Sequence, residues 1–389
     1  MSLKETMGGS LRQYGIMLVL VGVVVIAALA TGGKLVVPNN VFTLILQNSY
    51  VLILAIGMVM VIVAGHIDLS VGSVVAFIGG VIGWMTINWG FPWPVAVLAA
   101  LAIGVIIGAW HGFWVAYVRI PAFIVTLAGM LIFRGLALII VGTTLAGFDQ
   151  GFINIAAGSL PPWFGFIGDF DVVTLVIGVI GVVGLVVSTL RSRASQIKHG
   201  IAPEAFGFMI GKLIVISIAI LVVAGNLALS DKGTPFLLLI VGALIFIYSF
   251  VLNKTVFGRH IYAIGGNLNA AILSGINTAK TNFMIFVHMG LLAAVAAIVV
   301  TSRAGAATAQ VGQQYEMDAI AACFIGGTAV TGGVGRISGA MIGALIMGVL
   351  NMSLSIAGVS SDVQQTVKGV VVLAAVALDL LSKRRAKVA

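Results

Sequence analysis

The sequence predicts an all-α polytopic membrane protein of about twelve transmembrane helices with both termini cytoplasmic. Three observations carry that expectation. First, 61% of its 389 residues are hydrophobic and only 8% are charged, with mean hydropathy +1.21. A soluble domain needs far more charge to cover its surface. Second, the apolar residues fall in long runs, and fifty glycines suit helices that pack backbone to backbone in lipid. Third, the basic residues gather in alternate breaks between the runs.

Twelve apolar segments are expected near 16–36, 43–64, 70–88, 93–118, 122–142, 171–190, 206–227, 235–252, 281–301, 316–331, 336–357 and 363–382. In hydrocarbon the backbone must satisfy its own hydrogen bonds, so each is expected to be helical. The first, preceded by "MSLKETMGGSLRQYG", lacks the short apolar core and cleavage site of a secretory signal and is expected to stay as an anchor. The tenth is short and reads as a broken or re-entrant helix.

With the N-terminus inside, fifteen of the 20 Lys/Arg fall in or beside inner breaks, from Lys4 and Arg12, through Arg119, Arg191, Arg193, Lys254 and Arg259, to Lys383, Arg384, Arg385 and Lys387. Lys34, Lys232 and Arg303 fall outside; Arg134 and Lys368 fall within spans. That asymmetry is the one membrane insertion produces. The net charge of +9 is therefore an orientation signal, with no nucleic-acid partner implied. The longest outer connection, 143–171, carries Pro161, Pro162 and Trp163, an aromatic belt residue or a docking point; the longest inner one is 253–280.

Catalytic chemistry is missing. Cys323 is the only cysteine, and His66, His111, His199, His260 and His288 are scattered, so no metal set is expected. No nucleophile elbow or zinc-peptidase motif is present. "GKL" at 211–213 lacks the residues of a P-loop, so any ATP and Mg belong to a partner. No acid lies in the middle of an apolar segment, as ion coupling would require; Asp318 reads as the edge of a span. Polar residues within the spans are Gln47, Asn48, Ser49, Asn351, Ser353, Gln364 and Gln365, with the cations Arg134 and Lys368. Gln47, Asn48, Arg134, Asn351, Gln364 and Lys368 are the candidates to line a path for a neutral, hydroxyl-rich substrate. Interhelical hydrogen bonding accounts for such residues equally, and a structural pin for the two cations.

The inner stretch "GRHIYAIGGNLNAAILSGIN" at 258–277 contains Asn269, Ala270, Ala271 and Gly275 in the spacing E-A-A-x-x-x-G, with Asn in the acid's place. Here the chain resembles the permease subunits of bacterial ATP-binding-cassette importers for sugars, on the ribose and xylose branch. "GHIDLSVGSVVAF" at 65–77, "IPAFIVTLAGMLIFRG" at 120–135, "MDAIAACFIGGTAVTGGVG" at 317–335 and "VQQTVKGVVVLAAVALD" at 363–379 extend the resemblance over nearly the whole chain.

The resemblance implies one transmembrane permease domain over 1–389 in a bacterial inner membrane. It implies a ten-span core plus an extra hairpin near 191–235, as in xylose and multiple-monosaccharide permeases, and a homodimer with the path at its two-fold axis. It implies an ATPase subunit inside, a periplasmic sugar-binding protein outside, and no cofactor on this chain. The segment 253–280 would be the coupling element, with Gly266, Asn267, Asn269, Ala270, Ala271, Ser274 and Gly275 at the ATPase. Asn269 puts a salt bridge from that position in doubt, leaving shape fit and helix capping. The alternative is a stand-alone secondary carrier or channel for small polar solutes; an intramembrane enzyme lacks its nucleophile.

Overall fold

The computed structural model describes residues 3–388, and the side chains of residues 15–374, 376 and 377. The charges of Lys4, Arg12, Asp379, Lys383, Arg384, Arg385 and Lys387 lie outside the described side chains. In chain order the helices are α1 (Leu3–Ala30), α2 (Pro38–Val63), α3 (Val71–Gly83, running on through a π turn at Trp84–Asn88), α4 (Trp93–Ala116), α5 (Ala122–Val141), α6 (Gln150–Ala157), α7 (Val172–Lys198) and α8 (Phe206–Ala228). They continue with α9 (Phe236–Lys254), α10 (Val256–Gly266), α11 (Leu268–Leu273), α12 (Thr278–Ala304), α13 (Tyr315–Ile325), α14 (Ile337–Ile356) and α15 (Ser361–Val388).

Local chemistry sets many of these limits. Pro38 opens α2, where its missing N–H costs nothing. The Asp171 carboxylate accepts from Val173 N and Thr174 N to cap α7. Gly305, at φ 60, closes α12 in the left-handed conformation that suits glycine.

Among the described residues, nine helices are long and apolar enough to cross a membrane: α2, α3 with its π turn, α4, α5, α7, α8, α9, α12 and α14. The protein is a multi-pass, mostly helical membrane protein. The other expected segments are α1, α13 and α15. At 11 residues α13 rises only about 16 Å, half of what a roughly 30 Å hydrocarbon layer requires. It ends in the glycine-bearing turn 326–336, so the expected tenth segment is a half-helix.

Helix α2 forms the centre and is buried on every side from Val51 to Val63, as a helix apolar all round should be. Helices α12, α13 and α14 pack on it. Where α4 crosses α12 the backbones nearly touch: a Cβ on Gly290 would lie 2.7 Å from Gly108 N. Helices α7 and α8 pack against each other at the periphery, and Val179, Ile180, Ile214 and Ile218 stay exposed, facing lipid. The stretch 191–235 is thus the end of α7, a turn, α8 and the connection to α9.

The bundle has two distinguishable ends. One carries the turns 64–70 and 326–336 with α10 and α11. The other carries the antiparallel pair β1 (Thr144–Ala146) and β4 (Ala306–Thr308), helix α6, and the hairpin of β2 (Phe166–Ile167) and β3 (Phe170–Asp171). The connection 143–171 is therefore largely ordered, with Trp163 and Phe164 exposed at its tip.

Arg134 on α5 is a pin at the β end. Its Nη1 donates to Ala309 O at 2.7 Å and Val311 O at 2.8 Å, tying down the chain after β4. Arg134→Leu is expected to destabilise the protein by about 1.5–3 kcal/mol, the range for hydrogen bonds to a charged group. Thermal unfolding in detergent measures this, and an unchanged midpoint contradicts it.

Candidate functional site

A polar cavity of 310 Å³ opens in the half of the bundle nearer the β elements. It is lined by the first half of α2 (Gln47, Asn48 and Tyr50), the end of α12 (Arg303), the start of α13 (Tyr315), the second half of α14 (Asn351 and Ser355) and the first turns of α15 (Gln364 and Lys368). Five of the six path candidates, Gln47, Asn48, Asn351, Gln364 and Lys368, meet here. Arg134 is not among them; it sits at the loop after β4.

A charge pair, buried on its acidic side and partly exposed on its basic side, forms part of the cavity wall. Lys368 Nζ lies 3.1 Å from Asp318 Oδ2, with the two side chains 18% and 2% exposed. The Tyr50 hydroxyl donates to the same oxygen at 2.6 Å, and the Tyr50 and Tyr315 rings stack at 3.6 Å. Asp318 does lie at the edge of its segment, in the first turn of α13, but it is buried and paired there. In the same turn Met317 faces out, 54% exposed, while Asp318 turns inward. Asn48 Nδ2 donates to Ala344 O at 2.8 Å, fixing α2 to α14. Three buried polar atoms of the lining have no protein partner: Asn48 Oδ1, Asn351 Oδ1 and Arg303 Nε. Tyr50, Tyr315, Arg303 and Asp318 are not marked by the sequence pattern. Tyrosines in an apolar run look like packing, and Arg303 and Asp318 sit near helix ends, where charge is ordinary.

The other end presents α10 and α11. Thr255 Oγ1 caps α10 by accepting from Gly258 N, and Asn267 Oδ1 caps α11 by accepting from Ala270 N at 3.0 Å. The capping left open for Asn269 is thus done by Asn267, and Asn269 is exposed. The alanine pair splits: Ala271 is buried and Ala270 faces out with Gly266, Ser274 and Gly275. Gly275 holds φ 79, letting the chain leave α11 in a tight turn. Beside them Leu268, Ile272 and Leu273 are 48, 52 and 88% exposed, and Leu273 is the most exposed large hydrophobic side chain among the described residues. Three outward apolar side chains on a six-residue helix are a signal that composition alone does not separate from core.

Backbone contacts tie this end to the half-helix. The Tyr262 hydroxyl donates to Gly335 O at 2.7 Å; burial holds that phenol above its ordinary 10.0, so it remains a donor. Gly333 N donates to Val63 O at 2.8 Å. Gly265 lies against both, and a Cβ there would meet Gly333 N at 2.6 Å and clash with Val63 O. A second cavity, of 580 Å³, opens at this end beside Arg259, Tyr262 and Arg336. Tyr315 at the start of α13 lines the first cavity, and Gly326, Gly333 and Gly335 of the turn that ends it line the second.

Residues 40–376 match the family model described as the permease component of the branched-chain amino acid transport system. The chain belongs to this family. Within it, this permease is 39% identical over 376 residues to the xylose transport system permease protein of Haemophilus influenzae, covering 96% of this chain and 97% of the relative. It is 38% identical over 378 residues to the xylose transport system permease protein of Escherichia coli K12, covering 97% and 93%. It is 36% identical over 344 residues to the ribose import permease protein of the same strain, covering 88% and 85%. The resemblance to the ribose and xylose branch read from the motifs is thereby shown. No solved structure matches the chain.

Proposed function

We propose that this permease is the translocation subunit of an ATP-binding-cassette importer for monosaccharides, xylose or a related pentose or hexose, in a bacterial inner membrane. The names of its xylose and ribose relatives, similar over nearly the whole chain, support the substrate class. Two copies would form the path at a two-fold axis, with the termini and the α10–α11 end cytoplasmic and the β end periplasmic. A soluble sugar-binding protein would deliver at the β end. A partner ATPase would hold ATP and Mg and dock on α11.

The observation that carries the coupling role is the outward apolar face of α11 at a polar end of the bundle. A soluble end of a membrane protein exposes Leu268, Ile272 and Leu273 at a cost unless something covers them. Coupling then follows from contact. Movement of α10 and α11 with the ATPase shifts Gly265 against Val63 and Tyr262 against Gly335, and so moves the turn that ends α13. The half-helix and its turn border both cavities, so its displacement would exchange which end has access, a two-state rigid-body switch.

Leu273→Asp tests this reading. Central interface anchors are each worth about 2 kcal/mol or more, so the co-purifying ATPase is expected to fall by roughly thirtyfold while the thermal midpoint of the permease is retained. Undiminished ATPase capture and sugar uptake contradict the docking role. A stand-alone carrier would take up sugar in liposomes with no ATPase present.

A further inference from the structure

The cavity beside α13 has more chemistry than a passive conduit needs. Its unpartnered Asn48 Oδ1 and Asn351 Oδ1 are acceptors, and the unpartnered Arg303 Nε is a donor. Asn48 is only 4% exposed and its Nδ2 donates a hydrogen bond to Ala344 O, so its oxygen is fixed in place. A buried polar atom without a partner is costly and marks a place where a partner belongs. Lys368 adds N–H donors, but its charge is matched by Asp318.

We propose that this cavity is a monosaccharide site of the permease's own, a holding point separate from any binding protein. The inference rests on the sugar-importer reading. A sugar hydroxyl both donates and accepts. One hydroxyl can donate to Asn48 while a second donates to Asn351, and their oxygens can accept from Arg303 and Lys368, so two hydroxyls of one sugar ring suffice to pair the unpartnered atoms. The volume of 310 Å³ is at the lower end for small-molecule sites and suits a single sugar ring. Asp318 is a positioning residue: through Oδ2 it fixes the Lys368 ammonium and offsets its charge, which leaves the Arg303 guanidinium as the positive charge of the lining. Tyr50, donating to that same oxygen, holds the carboxylate in place.

Thiol protection tests the site directly. Cys323 is fully buried, so labelling reports an added cysteine with little background. The variant Ser355→Cys, at the cavity rim, is assembled with its ATPase in nanodiscs without the binding protein and treated with a water-soluble maleimide. D-Xylose is expected to slow labelling several-fold, and L-leucine to have no effect at equal concentration. Adding Asn48→Leu or Asn351→Leu is expected to raise the half-protecting xylose concentration by about 2- to 10-fold, the worth of one hydrogen bond. Asp318→Asn, which leaves Lys368 uncompensated beside Arg303, is expected to strengthen protection by the anion D-xylonate relative to D-xylose, a change that mere loss of packing does not produce.

Protection by leucine in place of xylose overturns the proposal. Absence of protection, in a system that still imports xylose once binding protein and ATP are supplied, overturns the site and leaves the importer reading standing. Absence of xylose import by the complete system overturns that reading, and the site with it. Because Ser355→Cys leaves all the proposed hydrogen-bonding groups in place, a folding failure of the asparagine variants does not remove the test.

Discussion

Asp318→Ala is expected to be among the most damaging single substitutions in this chain, lowering stability by about 3–5 kcal/mol. The reason is asymmetric. Removing the carboxylate leaves the Lys368 ammonium, 18% exposed, without its counter-ion and frees the Tyr50 hydroxyl in the same place. The pair itself adds little net stability, because desolvating two charges offsets most of their attraction. The double variant Asp318→Leu/Lys368→Met is therefore expected to recover most of the loss. Thermal or denaturant unfolding in a fixed detergent gives the comparison. If the double variant is no more stable than Asp318→Ala, the ion pair is not the source of the effect.

Gly265→Leu is expected to uncouple transport from ATP hydrolysis. Nothing larger than hydrogen fits where Gly265 meets Val63 and Gly333, so a side chain there must push α10 off the turn that ends α13. The exposed docking face at Leu268, Ile272 and Leu273 lies beyond that contact and is expected to keep its ATPase. Coupling free energies of 1–3 kcal/mol correspond to about 5- to 150-fold, so sugar uptake per ATP hydrolysed is expected to fall within that range. Gly242→Ala, on α9 with open space around it, is the control and is expected to behave as the native chain. Equal uptake per ATP in the Gly265 and Gly242 variants would separate α10 from the switch.

Two kinds of residue are legible in the amino-acid sequence. Gln47, Asn48, Asn351, Gln364 and Lys368 stand out because each is polar inside an apolar run, and the structure gathers them around one cavity. The Asn/Ala/Gly stretch at 266–275 stands out because its composition breaks with its flanks. Other residues give no local signal. Tyr50 and Tyr315 are ordinary in an apolar helix until their stacking is seen. Asp318 reads as peripheral because hydropathy does not reveal that its helix is half a span. Leu273 gives no sign of facing out, since an apolar residue looks the same in a core, and its 88% exposure is visible only in the structure.

Hydropathy, charge placement and short motifs suffice for the membrane-spanning class, most helix limits, the charge asymmetry and the family. These follow from terms that act within a few residues or add up along a run: transfer of apolar side chains to lipid, capping, and glycine or proline at turns. Packing of the whole bundle is needed to decide that Asp318 pairs with Lys368, that Asn48 reaches Ala344, and that Gly265 abuts Val63 and Gly333. Asp318 and Lys368 lie 50 positions apart in sequence, and Asn48 and Ala344 lie 296 apart. Their meeting depends on which helices cross closely enough for a glycine to matter, a property of the packed bundle that no local stretch encodes.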